Sequence, residues 1–387
     1  MVVYLATAHG DNTPGKRSPK DAEGGTFREY RWSRKICFML KYLLKEYYKY
    51  NSDFDCVIDV MGNYEMTEND TQKSGVSKRI ALNKTLQQKS NPTKDKNFGC
   101  IMVTIHVNAA PVKYAKNAPE SEKWVKNPNS SGWGMWLHGQ SEEYVDKSGN
   151  KKKRFKEHSN TRPIDRELCS FFYYAKDIVN GTTSYDLNGG CGKKTTRKYN
   201  LGAYGILRQS LCPAAMSENF IQNNREEVKF LRSIEGEEAV LKIHLNAIIA
   251  FLKKYGYERK TNESKWKVSS VDMTYPPLYS QQKSLETQLL ASPDFYLNCA
   301  IIFDFTNKTD DEIYKMWYAE YANIKTSPFL YKIIRPKGEE SELLKYIDSA
   351  SPKEIVFETF PILSDSELNQ IIKNSAKDAQ SNYWPKI

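Results

Sequence analysis

Apolar and polar positions change period several times along the chain, and each change marks an element. Residues 2–8 form a short apolar run closed by a loop rich in Gly, Pro and Asp, which predicts a buried strand and an irregular connection. Over 29–50 the spacing turns helical, with Trp32, Ile36, Met39, Leu40, Leu43, Leu44 and Tyr47 on one side. Residues 56–61 predict a second strand, 77–88 a second helix and 99–108 a third strand. The alternation predicts an α/β fold: a mostly parallel sheet flanked by helices on both faces.

Regularity lapses over about 111–163, a polar insertion around one aromatic piece, Gly-Trp-Gly-Met-Trp-Leu-His at 132–138, which predicts a single strand. The basic run Lys-Lys-Lys-Arg-Phe-Lys-Glu at 151–157 predicts a solvated loop. A helix follows at 164–180, with Leu168, Phe171, Phe172, Ala175 and Val179 on one side. After a Gly-rich loop come residues 201–210 and 212–220, and an amphipathic helix over 237–256 closes the unit, with Gly256 as its stop. The expected first domain is therefore 1–256. Residues 257–387 open with a polar linker and predict a smaller α+β or α/β domain: strands at 296–307 and 353–363, helices at 309–322 and 364–378.

Composition narrows the class. Apolar residues make up 40% and charged residues 27% of 387, which suits a globular chain. No apolar run reaches the ~20 residues that span a bilayer, and the start lacks the basic region of a secretory signal. Synthesis and folding in a cytoplasm are the expectation. Seven scattered cysteines without a CxxC pair predict buried thiols rather than a disulfide framework. The net charge of +10 is uneven: residues 1–257 hold 41 Lys/Arg against 28 Asp/Glu, and 258–387 hold 16 against 19. A basic face attracts nucleic acid, anionic lipid or anionic wall polymer, and charge does not choose among them.

Chemistry enters at the strand ends, where parallel α/β sheets bind ligands. His9 follows the first strand and His106 ends the third, while Glu29 opens the first helix. Two imidazoles and one carboxylate match a zinc site with an open fourth position, the mark of a catalytic rather than a structural ion.

These residues resemble the zinc-dependent N-acetylmuramoyl-L-alanine amidases of the amidase-3 family, over roughly 1–256. The family's Gly-His-Gly loop and Pro-Gly are matched by Ala8-His9-Gly10 and Pro14-Gly15, with alanine in place of the first glycine. Its helix-opening glutamate corresponds to Glu29, and its Arg-x-x-x-Asn helix to Arg79 and Asn83. Its Ser-Ile-His-x-Asn-Ala strand end is similar to Thr104-Ile105-His106-Val107-Asn108-Ala109, with threonine for serine. Its last motif, which carries the catalytic glutamate, is matched from Pro213 through Glu218 and Phe220 to Asn223. The wording of residues 13–19 resembles phage-borne members.

The resemblance implies Zn²⁺ held by His9, Glu29 and His106, and hydrolysis of the amide between N-acetylmuramic acid and L-alanine by zinc-activated water. Glu218 becomes the catalytic proton carrier, with Asn108 and Arg79 in supporting or substrate-binding roles. Peptidoglycan is the implied substrate in phage-mediated lysis or wall penetration, as a free endolysin or a virion-borne lysin. The C-terminal unit then serves wall binding or attachment to other virion proteins, with no specific nucleic acid and no membrane among the partners. The rival is a structural virion protein that keeps the fold for assembly or glycan attachment. Among the remaining candidates, His244 reads as a core histidine, and His138 and His158 as exposed. Trp124, Trp133 and Trp136 are either buried or available to stack on sugar rings.

Overall fold

The computed structural model describes residues 1–10, 13, 15–20, 26–48, 51–59, 72–90, 98–113, 117–125, 131–146, 148–188, 199–259, 301–304, 331–334 and 362–380. In chain order these form β1 (Val2–Thr7), α1 (Glu29–Tyr47), β2 (Asp55–Ile58), α2 (Gln72–Ser90), β3 (Cys100–Asn108), β4 (Trp133–Val145) and β5 (Lys151–Glu157). There follow α3 (Pro163–Asn180), β6 (Asn200–Gly202), α4 (Gly205–Arg208), β7 (Ala214–Ile221), α5 (Arg225–Leu231) and α6 (Ile234–Lys254).

The strands make one seven-stranded sheet in the order β2-β1-β3-β7-β4-β5, with β6 paired to β4. Strands β2, β1, β3 and β7 run parallel, and β4 joins them antiparallel through β7. The parallel core follows from continuous burial: every residue of β7, and all of β3 up to Ile105, is buried, as a strand covered on both faces requires. One face is closed by α2 and α4, where Leu82, Ile206 and Leu207 pack with Tyr4, Ala6, Met102 and Met216. The opposite face carries α6, whose His244 bonds Ser217 of β7, with α1 and α3 beside it through Lys35–Glu237 and the Phe171–Phe251 ring contact. An α/β sheet with helices on both faces is what the periodicity predicts.

Two expectations for the insertion need correction. Strand β4 runs 13 residues, and its outer half pairs antiparallel with β5, so the basic run is a strand and not a loop. Both faces of β5 are solvated, which hides the alternation that signals strands, and the charges pair across the ribbon. Arg154 and Lys156 reach Glu142 at 2.5 and 2.9 Å, and Lys152 reaches Asp146 at 2.7 Å. His138 is not exposed: it is 8% accessible, covered by His158 at a ring distance of 4.7 Å. Burial, then the nearby positive charge of His158 and Arg208, lowers its affinity for a proton.

By contacts the chain divides into two units, one of residues 1–231, 235–261 and 362–387 and one of 232–234 and 262–361. The sequence expectation drew a single boundary after 256. The contacts return the last helix, α7 (Asp365–Gln380), to the first unit, because its buried Leu368 and Ile371 give it an apolar stripe that packs on α3. The second unit is described as a parallel pair, β8 (Ile301–Asp304) with β9 (Tyr331–Ile334). The helix expected at 309–322 lies outside the described residues, as does the strand at 353–363 except for residues 362 and 363. No described helix is long and apolar enough to cross a membrane. The described cysteines, 37, 56, 100, 169 and 212, are free and buried.

Candidate metal centre

Strands β1 and β3 end side by side, and α1 fastens both ends. Ser33 Oγ donates to the Ile105 carbonyl at 2.6 Å and accepts from the Ala8 N–H at 2.9 Å. One residue on, His9 takes φ +42°, a left-handed backbone that a non-glycine residue adopts at a cost and that recurs at functional sites. The turn brings His9 over the end of β3. Its ring lies 4.8 Å from that of His106 at 86°.

Glu29, the first residue of α1, is fully buried between them. Its Oε1 sits 3.1 Å from His106 Nδ1 and 3.5 Å from His9 Nε2, and accepts the Val107 N–H at 3.1 Å. The positive end of the helix dipole favours a carboxylate there. Burial works to protonate Glu29, but the imidazoles of His106 and His9 beside it outweigh burial and hold the carboxyl well below the usual range. Burial drives the His106 imidazole down to about 4 in spite of Glu29, so the ring is neutral near pH 7, as a metal ligand must be. Thr104 Oγ1 lies 3.0 Å from His106 Nε2. With a cation bound at Nδ1, Nε2–H would donate to that hydroxyl.

Glu218 comes from the neighbouring strand, in register with His106. Immediately after it the pairing slips: Asn108 meets Ile221, so β7 carries one extra residue, and Phe220 stands at φ +65°. Such a bulge bends a strand and re-aims its side chains. The bulge is fastened from three sides. Asn219 donates to the His106 carbonyl (2.9 Å) and accepts from Trp133 Nε1 (2.8 Å), Phe220 packs on Tyr185 and Phe230, and the Glu227 carboxylate accepts the Ile221 N–H (2.7 Å). Burial, then the charge of Glu29, raises Glu218 well above an ordinary carboxyl.

His9, Glu29 and His106 each offer a ligand atom, all within 4.8 Å of one another. His9 Nε2, Glu29 Oε2 and Glu218 Oε2 are buried without a hydrogen-bond partner among the described residues. Buried polar atoms are rarely left unpaired, and a divalent cation between the two imidazoles and Glu29 satisfies the first two. The donor set of two nitrogens and one carboxylate oxygen suits zinc.

The other expected residues stand further out. Arg79 bonds Asp59 Oδ2 at 2.5 Å, and Asp59 Oδ1 accepts the N–H and hydroxyl of Thr7. Arg79 thus braces the end of β1 two residues before His9, and contacts none of the three. Asn108 Oδ1 accepts the following Ala109 N–H, and its carbonyl accepts from Gln222. Asn83 ties α2 to the Ser210–Cys212 turn, and Asn223 clasps both backbone groups of Ala110. His244 is a core histidine, bonded to Ser217 and to the Val240 carbonyl. Trp124 and Trp133 are buried, while Trp136 is partly open. Ser33, Asp59, Asn219 and Glu227 were not singled out in the sequence. Only Asn219, adjacent to Glu218, lay inside a motif.

Glu227 gives the bulge a pH signature. Burial pushes its carboxyl up to about 8 from an ordinary 4.5, against the backbone hydrogen bonds from Gly132 and Ile221. Between those values the folded chain holds a proton that the unfolded chain has released, so this contribution to stability is full below 4.5 and is lost as pH rises through 8. The melting temperature of Glu227→Gln relative to wild type is therefore expected to rise steadily from pH 5 to 8. A constant difference across that range contradicts the assignment.

No family model matches the chain, and no curated protein sequence matches it. Among solved structures it is similar to the catalytic domain of CwlV, an N-acetylmuramoyl-L-alanine amidase from Bacillus (Paenibacillus) polymyxa var. colistinus. The identity there is 13%, covering 65% of this chain and 98% of that one, with a TM-score of 0.40. The CwlD amidase from Clostridioides difficile, in complex with the GerS lipoprotein, is 13% identical over 65% and 98%, with a TM-score of 0.38. The catalytic domain of the CD27L endolysin targeting Clostridia difficile is 12% identical over 67% and 99%, with a TM-score of 0.33.

Proposed function

We propose that the chain is a zinc-dependent peptidoglycan amidase that cleaves between N-acetylmuramic acid and L-alanine of the stem peptide. The observation that carries the reading is the meeting of His9, Glu29 and His106 around buried, unpartnered ligand atoms, with Glu218 on the adjacent strand in register with His106. The four residues belong to motifs that keep the order of the amidase-3 family. A scaffold protein has no use for a buried carboxylate left unpaired beside such a centre.

A divalent cation held there supplies Lewis-acid polarisation of a carbonyl and acidifies water. The residues supply the rest. Glu29, His9 and His106 would hold the cation, and the Thr104 hydroxyl stands beside the far nitrogen of the His106 ring. Glu218, whose burial raises its affinity for a proton, takes the proton of the attacking water and returns it to the departing amine nitrogen. A phage-borne lytic role is part of the proposal and rests on the wording of residues 13–19. Wall binding or virion attachment by the C-terminal residues completes it.

Purified peptidoglycan incubated with the zinc-loaded protein tests the reading. Turbidity is expected to fall while new N-terminal alanine appears by end-group labelling. New reducing ends instead, or no new termini, would overturn it.

A further inference from the structure

Antiparallel pairing sets Gly134 of β4 opposite Glu218, and Trp136 opposite Met216. Opposed residues on neighbouring strands share a face, so Trp136 stands on the Glu218 side, one step further along β4. Gly134 places no side chain between them. A Cβ at Gly134 would lie 3.3 Å from Asn200 Nδ2 and 3.9 Å from Trp136 Nε1. A carboxamide and an indole N–H thus converge on one point beside Glu218. Tyr204 walls the corner: its ring meets Trp136 edge to face, centroids 5.9 Å apart at 85°, and lies over Gly202, where any Cβ would collide with it.

The four residues Gly134, Trp136, Asn200 and Tyr204 are half-buried, so the corner is open to a ligand. Among the described residues none accepts a hydrogen bond from these three side chains. Burial, then the charges of Glu218 and Glu29, raise the Tyr204 phenol well above its ordinary value, which keeps it a neutral O–H.

We propose that this corner is a saccharide subsite, in which Trp136 and Tyr204 take the face of an N-acetylated sugar ring and Asn200 and Trp136 Nε1 donate to its acetamido carbonyl. The uncharged lining decides for a neutral sugar over the acidic stem peptide. Gly134, Trp136, Asn200 and Tyr204 offer donors and aromatic faces and carry no charge of their own. A peptide carboxylate finds no cationic partner among these four, whereas an acetamide finds two donors and a sugar ring finds two aromatic walls. The inference rests on the amidase reading for the glycan it names, while the corner itself is independent of the reaction.

Isothermal titration of the full chain with the N-acetylglucosamine tetramer, and separately with its deacetylated counterpart, tests the subsite without requiring hydrolysis. Saturable binding of the acetylated tetramer alone is expected, weakened about 5- to 10-fold in Asn200→Ala through loss of one hydrogen bond. Gly134→Ala, whose methyl group occupies the convergence point, is expected to weaken it at least as much with an unchanged melting temperature. No binding by wild type, equal binding of both tetramers, or wild-type affinity in both folded variants would overturn the proposal. Acetyl-specific binding by a protein that releases no alanine from walls would sink the amidase reading and leave the subsite standing. Alanine release with unchanged KM in Asn200→Ala would sink the subsite alone.

Discussion

Glu218→Gln is expected to lower kcat on peptidoglycan by roughly 10²–10⁴-fold, the usual worth of a positioned general acid–base, while the protein stays folded and keeps its metal. The exchange is nearly isosteric, and among the described residues Glu218 makes no ion pair whose loss would loosen the sheet and its Oε2 has no partner. The bulge that aims the side chain is held by Asn219, Phe220 and Glu227, so position survives when the acid is removed. What is lost is the proton relay alone. Rates within tenfold of wild type would place the proton carrier elsewhere.

Glu29 is the second position where a single change is expected to abolish activity, and two variants separate its roles. Glu29→Ala removes the carboxylate faced by both imidazoles and leaves the buried Val107 N–H without an acceptor, a loss of about 1–3 kcal/mol in stability. Glu29→Gln keeps an acceptor for Val107 but not the negative charge. Both are expected to lose hydrolysis and tight zinc binding, and only the alanine variant to melt markedly lower. Full activity in Glu29→Gln would show that the carboxylate is a helix-start residue and no ligand.

The parts of this structure that were legible in the sequence are those with strong periods. Strands β1 and β3 are continuous apolar runs, α1 has a clear apolar stripe, and the ends of these elements carry His9, His106 and Glu29. A polar residue where a buried strand stops is conspicuous, and the three that stand at these ends come together in the structure. The ribbon was hidden for the opposite reason: β5 buries neither face, and its cross-strand ion pairs leave no period to read. The bulge at Phe220 escaped because a backbone reversal at a non-glycine residue has no compositional mark. Asp59 and Glu227 look like ordinary surface acids until the fold buries them beside backbone N–H groups. The saccharide corner joins β4 to Asn200 and Tyr204, more than 60 residues on, so no local window contains it. The last helix is legible as a helix, but its partner α3 lies far upstream, so no local pattern pairs the two.

Metal content per chain, measured by mass spectrometry after dialysis against trace zinc, bears most directly on the centre. One zinc per chain in wild type and in Glu218→Gln, with none retained by His106→Ala, is the predicted result. Wild-type protein that holds no metal, or a His106→Ala variant that holds as much as wild type, would contradict it.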